Sequence, residues 1–378
     1  ILMTAFAPLI ATKLNIRTQQ AETVLALLAE GATIPFIARY RKDKTGALDE
    51  VVIQQIEDES KTLKAFTERK TAIEKSITEQ EKMTEELQQK LNNALTLTEL
   101  EDIYLPYKPK RRTKAQVAKE NGLEPLALLI LEQKDTDLPA EAEKYFNEKI
   151  KTVDEALQGA RDIIAEQVNE DAQLRAKMRK LFEDKATLQS KVVSDKETEG
   201  IKFKDYFDYS EPVMKVPSHR ALAVLRGFVE GILRIAIAPQ EEQAVEQMEA
   251  IYAKGISESS TQVRKAVKDA YRRLLQPALE TEFRTMLKQQ ADEEAINVFA
   301  ENLKQLLLSS PLGGKKVLAI DPGYRTGCKV VCLDEKGALK KNDLIYIHEP
   351  GKLNSSEHTI RHLVESFSIE AIAIGDGT

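Results

Sequence analysis

The sequence predicts a mainly α-helical protein followed by a short α/β domain. Hydrophobic residues make up 42% of its 378 residues and charged residues 31%, and helix-forming types occur throughout. That composition favours a soluble helical protein of about two to four domains. Apolar residues recur at helical spacing as far as residue 310, and β-type residues begin after the Pro/Gly-rich stretch "SSPLGGKK". We therefore place a domain boundary near residue 312.

Short helices joined by glycine turns are predicted for residues 20–60. Gly31 ends one helix and Thr33 caps the next. Leu48, Val52 and Ile56 then lie on one helix face. This pattern is typical of a helix-turn-helix module and equally of any small helical bundle, so both interpretations stay open.

A helical hairpin is predicted next. An amphipathic helix runs from Asp49 to about Ile77, and Thr84 caps a second helix that carries Leu87 and Leu91. The apolar repeat is too short for a coiled coil. We expect the two helices to pack antiparallel.

A cluster of positive charge follows in "YLPYKPKRRTKAQVAKENG". Six cations lie here without an acid among them, in a chain whose net charge is −6: Lys108, Lys110, Arg111, Arg112, Lys114 and Lys119. We call residues 108–119 the basic segment. Two prolines hold its first part extended, and Thr113 starts a helix that ends at Asn121–Gly122. Such a segment can bind a phosphate backbone while Tyr104 and Tyr107 stack on bases. It can also be a surface loop whose tyrosines anchor it to the core.

Helices are predicted throughout residues 150–310, with an interruption near Pro277. One apolar stripe continues from Leu222 to Leu233 and places that stretch in a helix. An earlier helix has four cations near its carboxyl end, where the helix dipole stabilises positive charge: Arg175, Lys177, Arg179 and Lys180.

The two cysteines, Cys328 and Cys332, fall on the same side of one predicted strand. Without a nearby histidine or further cysteine they are a poor zinc site, and burial in a core is the better interpretation. The sequence shows no disulfide framework, signal peptide or membrane-spanning apolar run. We expect a cytoplasmic protein with no membrane contact, no metal and no cofactor.

Four stretches resemble the Tex family of bacterial transcription accessory proteins: "IPFIARYRKDKTGALDE", "LEDIYLPYKPKRRTKAQVAKENGLEPLA", "FDYSEPVMKVPSHRALAVLRG" and "LAIDPGYRTGCKVVCLDEKG". The resemblance implies a helical amino-terminal region with a helix-turn-helix module (1–195) and a central helical region (196–311). A YqgF domain of RNase H-like fold follows (315–378). In the family, a helix-hairpin-helix module and an OB-fold RNA-binding domain come next. We expect this chain to be an amino-terminal fragment that ends inside the YqgF domain.

The RNase H-like fold implied by the resemblance places "VLAID" beside "AIAIGD" in parallel, which brings Asp321 and Asp376 together. Two-metal catalysis needs several carboxylates, and nucleases of this fold draw more of them from later elements. We therefore interpret the pair as a degenerate metal site with no catalytic residue. The simpler interpretation, which the ligand count favours, is that Asp321 is a turn residue in "DPGYRTG", where Gly323 and Gly327 permit the turn.

Together these observations predict a non-enzymatic transcription accessory factor that binds nucleic acid, RNA in particular, through the basic segment. Transcription or translation machinery are expected partners. The alternatives are a metal-dependent RNase H-like nuclease and an adaptor that binds polymerase or ribosome without touching nucleic acid. A D-x-G turn also occurs in actin-like ATPases, but the resemblance disfavours that function and no P-loop is present.

Overall fold

The computed structural model describes residues 4–109, 112–323 and 326–375. The chain forms two compact units, one ending at Glu294 and one beginning at Ala295. Helices dominate the first unit, and the second combines a small sheet with helices. The predicted mainly helical fold with a terminal α/β domain is therefore confirmed. Across the described ranges, no helix is long and apolar enough to cross a membrane.

The amino-terminal part of the first unit contains the helices α1 (Ala7–Leu14), α2 (Thr18–Ala29), α3 (Ile34–Tyr40), α4 (Lys42–Thr45), α5 (Glu50–Glu79), α6 (Glu85–Asn93) and α7 (Leu97–Tyr104). The first of these helices bury one apolar cluster that includes Ile37, Ile53 and Ile56. Gly31, in the turn after α2, adopts the left-handed conformation with φ +88°. Because short helices around one cluster fit a bundle equally well, the helix-turn-helix module stays a prediction.

Helices α5 and α6 form the predicted antiparallel hairpin. Thr84 caps α6, its hydroxyl accepting a backbone N–H at 3.2 Å. Lys70 donates to Asn92 at 2.8 Å, and Gln88 donates to Glu74 at 2.8 Å. Later residues of α6 thus meet earlier residues of α5, which is the antiparallel arrangement.

The rest of the first unit contains α8 (Lys114–Glu120), α9 (Glu124–Glu132), α10 (Leu138–Glu143), α11 (Val153–Asn169), α12 (Ala172–Lys185), α13 (Ser218–Val229), α14 (Glu241–Tyr252), α15 (Glu258–Asp269) and α16 (Gln276–Leu307), which continues into the second unit. Helix α11 lies in the main core, where Ala156, Ala160 and Ile163 are fully buried. It packs against α8, α9 and α15. A buried helix of this kind gives its neighbours a fixed position.

A three-stranded antiparallel sheet interrupts the helices, in the order β2-β1-β3. Its strands are β1 (Thr187–Val192), β2 (Asp208–Pro212) and β3 (Leu233–Ala238). The prediction of helices throughout residues 150–310 is therefore wrong here. Gly231, with φ +72°, follows α13 and lets the chain turn. Leu233, assigned to the helix from its spacing, begins β3, where Ile237 pairs with the buried Leu188.

Pro277 does not end its helix, because a π-helical turn (Ala270–Leu275) joins α15 directly to α16. A proline ring inside a regular helix collides with the carbonyl four residues earlier and removes one hydrogen bond. The wider π turn accommodates both effects. The predicted interruption is thus a local change of helix type.

In the second unit a sheet has the order β6-β5-β4-β7. Its elements are β4 (Val317–Asp321), β5 (Cys328–Leu333), β6 (Leu339–Ile345), α17 (Leu353–Ser366) and β7 (Ala371–Ile374). Strands β4 and β7 pair in parallel, with Leu318 opposite Ile372, as the resemblance implied. Cys328 and Cys332 are buried in the apolar cluster beneath the sheet, and burial raises the pKa of the Cys332 thiol. Their assignment to the core is confirmed.

Candidate nucleic-acid interface

The approach to the basic segment is anchored by its tyrosines. Tyr104, the last residue of α7, is 6% exposed, and its hydroxyl shares a hydrogen bond with Ser76 at 2.9 Å. Gln80 donates to the carbonyl of the half-buried Tyr107 at 2.9 Å. Tyr104 is therefore a packing anchor, and the proposed stacking of bases on it does not fit its burial.

The exit from the basic segment is fixed by α8. The Thr113 hydroxyl accepts the Gln116 N–H at 3.1 Å and caps the helix as predicted. Ala115 and Ala118 of α8 are buried against α11. At Gly159 of α11, an added Cβ would lie 2.3 Å from a Leu123 side-chain carbon and 3.3 Å from the Ala118 Cβ. Small residues on both helices thus allow the close packing that holds α8.

The cations of the basic segment differ in their surroundings. Lys110 and Arg111 lie outside the described residues, whereas Lys108, Arg112, Lys114 and Lys119 are exposed. Arg112 pairs with Glu120 at 2.6 Å and Lys119 with Glu124 at 3.2 Å. Within the described ranges, no ion pair forms on Lys108 or Lys114. The sequence prediction considered acids only inside the segment. It therefore missed Glu120 of α8 and Glu124 of α9, which lie just beyond it.

These ion pairs are exposed, so each contributes only about 0–1 kcal/mol to stability. A phosphate group can therefore displace Glu120 from Arg112 at little cost. Over its described residues, the segment thus presents exposed cations that are weakly neutralised or form no ion pair.

A groove of about 490 Å³ lies beside the segment, and Arg112, Lys114 and Lys149 contribute to its lining. Lys149 was not predicted to belong to the interface. Its position beside Lys151 in "EKIKT" is only a weak sign of local positive charge. Its backbone N–H donates to the Asn147 side chain at 2.8 Å, which holds the loop. A cation outside the basic segment thus joins the same surface.

Three acids also line this groove: Asp154 is exposed, whereas Glu155 and Asp162 are engaged within the protein. Glu155 accepts the N–H groups of Lys151 and Thr152 at the start of α11, and these bonds lower its pKa. Asp162 lies 3.1 Å from Arg273. Its pKa is raised by burial, which outweighs the opposing charges of Arg273 and Lys114. Glu155 and Asp162 are therefore less available to a ligand than the exposed cations at the rim, while Asp154 stays accessible beside them.

Asp321 lies at the end of β4, exposed and opposite Lys329. From the residues that the structure describes, its carboxylate receives no hydrogen bond, and no cluster of three metal-binding side chains occurs among them. Asp376 lies outside the described residues. At Gly323 an added Cβ would be 2.4 Å from the Gly327 carbonyl oxygen, and Gly327 has φ +80°, so both positions favour glycine. The interpretation of Asp321 as a turn residue stays a prediction. The degenerate metal site stays a prediction.

A buried charge network was missed by the sequence analysis. Asp102 of α7 is 6% exposed and accepts from Arg175 at 2.7 Å and Arg179 at 3.0 Å, both on α12. Arg179 also donates to Glu282 of α16 at 2.5 Å. Burial favours a lower pKa for Arg179, but its hydrogen bonds to Glu282 and Asp102 outweigh burial and raise it. The two arginines therefore link α12 to α7 and α16. This role comes in addition to the interaction with the helix dipole that was predicted for them.

Three family models match consecutive parts of the chain. They describe a Tex-like protein N-terminal domain (residues 4–78), a Tex central region-like domain (133–299) and a Tex protein YqgF-like domain (315–378). The basic segment lies between the first two.

Similar proteins extend the likeness over nearly all of the chain. "Transcriptional accessory protein Tex" of Neisseria gonorrhoeae is 43% identical over 376 residues, covering 98% of this chain and 49% of its own length. "Protein YhgF" of Escherichia coli is 43% identical over 386 residues, covering 99% and 50%. "S1 RNA-binding domain-containing protein 1" of Homo sapiens is 27% identical over 402 residues, covering 98% and 38%. The chain thus spans about half the length of these bacterial relatives.

Proposed function

Because this chain belongs to the Tex family, we propose that it binds nucleic acid, RNA in particular, as a non-catalytic transcription accessory factor. Two relatives support this class of function by name, one as a transcriptional accessory protein and one as a protein that contains an S1 RNA-binding domain. The proposed contact surface is the basic segment together with Lys149.

One observation carries the proposal. The exposed Lys108 follows the anchored Tyr107, and the exposed Arg112 and Lys114 adjoin the capped start of α8, in a chain of net charge −6. Because Tyr107 and the start of α8 are held by hydrogen bonds, the backbone next to them loses little conformational entropy when these cations bind phosphates. Binding them to a phosphate backbone releases condensed counterions, which drives association and makes it dependent on salt.

Gel shifts with single-stranded RNA, single-stranded DNA and duplex DNA, each at two salt concentrations, test the proposal. We expect RNA to be retarded at low salt and released as salt rises, because counterion release weakens with salt. If none of the three is retarded at low salt, the proposal is wrong and the adaptor function becomes the better explanation.

We expect no cleavage of labelled RNA or DNA in the presence of Mn²⁺ or Mg²⁺. Two-metal hydrolysis requires several carboxylates around the scissile phosphate. Among the described residues, no group of three or more side chains that could hold a metal ion is present. Cleavage is followed over time for the unaltered chain and for Asp321→Asn. Activity that depends on metal and disappears in the variant would show that the chain is a nuclease.

A further inference from the structure

Helices α3 and α4 expose a group of aromatic and cationic side chains. We define the α3–α4 surface as Phe36, Arg39, Tyr40, Arg41, Lys42 and Lys44. Tyr40 is 65% exposed and Phe36 is 37% exposed. Their ring centroids lie 5.4 Å apart, and the Arg41 guanidinium stands 4.7 Å from the centre of the Phe36 ring. An aromatic group open to solvent beside cations can stack on a flat ligand.

The cations of this surface are poorly neutralised. Asp43 is the acid among residues 39–44, against four cations. Arg39 approaches Glu50 only at 3.9 Å, with both side chains more than half exposed. Over the described part of the chain, no ion pair forms on Lys42 or Lys44. The surface therefore carries a net positive charge that an anionic ligand can use.

The backbone beneath these side chains is held firmly. Thr45 is fully buried, and its carbonyl accepts from Gln20 of α2 at 2.9 Å. Its hydroxyl donates to the Arg41 carbonyl at 3.1 Å. Ala47 follows with φ +60°, a strained conformation for a residue other than glycine, of the kind that collects at binding sites. The side chains are thus presented from a fixed turn.

We propose that the α3–α4 surface binds single-stranded nucleic acid. A base stacks on Tyr40 while Arg39, Lys42 and Lys44 contact neighbouring phosphates. Stacking requires a base whose face is free, which a single strand offers and a duplex does not. The proposal rests on the proposed function for the class of ligand and adds a second contact surface that selects single strands.

An anionic membrane is the competing partner for aromatic and cationic side chains. Membrane-surface helices insert a continuous apolar face. Helix α3 has only seven residues, and Ile37 and Ala38 already bury their side chains in the protein core. Because little apolar area is left to insert, nucleic acid fits this surface better.

A tryptophan reporter tests the contact directly, since the chain contains no tryptophan. In Tyr40→Trp, the fluorescence should be quenched by an oligouridylate of roughly 12 nucleotides, a typical site size for single strands. Duplex RNA of equal length should quench it much less. Val229→Trp is the matched reporter, because Val229 is 82% exposed outside this surface. Equal quenching in both variants, or quenching of Tyr40→Trp only by phosphatidylglycerol vesicles, would overturn the proposal.

Affinity measurements separate stacking from charge. Tyr40→Ala should weaken oligouridylate binding roughly five- to a hundredfold, as expected for the loss of one stacked base, and Tyr40→Phe should retain it. Changing Arg39, Lys42 and Lys44 to Gln should weaken binding and its salt dependence. The matched control changes Lys61, Lys64 and Lys75, which pair with glutamates on α5, to Gln.

The outcomes distinguish this proposal from the proposed function. If the unaltered chain binds oligouridylate and Tyr40→Ala binds equally well, the α3–α4 surface is not a contact and the proposed function stands. If the unaltered chain binds no nucleic acid, both fail. Circular dichroism of each variant confirms that the helices remain folded.

Discussion

Replacing Asp102 with alanine should lower the free energy of unfolding by about 3–5 kcal/mol, the usual effect of breaking a buried ion pair. The carboxylate accepts from Arg175 and Arg179, and all three side chains are at most 17% exposed. Removing it leaves the buried Arg175 guanidinium without its carboxylate partner, while Arg179 keeps Glu282 as its acidic partner. Urea or thermal unfolding, followed by circular dichroism, measures the change.

The matched control is Asp154→Ala. Asp154 also faces an arginine, Arg161, at 3.6 Å, but its side chain is 91% exposed. An exposed pair contributes only about 0–1 kcal/mol, so this variant should unfold nearly like the unaltered chain. Equal effects of the two substitutions on the free energy of unfolding would show that the burial of Asp102 adds nothing to its contribution to stability. Asp102→Asn, which keeps the size of the side chain, should fall between the two.

Changing Lys108, Arg112 and Lys114 to Gln should flatten the dependence of log affinity on log salt by about two units. Each phosphate contact contributes roughly 0.7–0.9 to that slope. The three side chains are exposed, so the melting temperature should hardly change. Titrations of RNA at a series of salt concentrations give the slope.

The α5 lysine variant described above serves as control, because it removes the same three positive charges from a helix outside the basic segment. Its slope should stay close to that of the unaltered chain. If both triple variants lose the same slope, binding reflects overall charge and not the basic segment. An unchanged slope in the basic-segment variant would assign that segment to scaffolding or protein contact.

Local signals made part of this fold predictable from sequence. Thr84 and Thr113 mark the starts of helices, because a hydroxyl at this position accepts a free backbone N–H. The alternation around Cys328 and Cys332 identified a strand with one buried face. The parallel pairing of β4 with β7 was available only through the family resemblance, since spacing alone does not reveal strand partners.

What sequence reasoning missed depends on residues far apart in the chain. Strand β1 gains its partners from β2 and β3, on either side of α13, so its short segment carries no strong local signal. The pair between Asp102 and Arg175 spans 73 positions. At the candidate interface, Lys149 lines the same groove as Arg112 and Lys114 although it is distant in sequence. Glu120 is an exception to this rule, because it directly follows the basic segment and pairs with Arg112. Charge counting within the segment could not include them.

The buried thiols of β5 have a practical consequence for chemical labelling. The chain has two cysteines, Cys328 at 1% and Cys332 at 0% exposure. Reaction with maleimides requires an accessible thiolate, and burial removes that access. A new cysteine at an exposed position such as Tyr40 or Lys108 can therefore be modified selectively in the folded protein. Crosslinkers and fluorophores can then map the path of a bound strand without first removing the native cysteines.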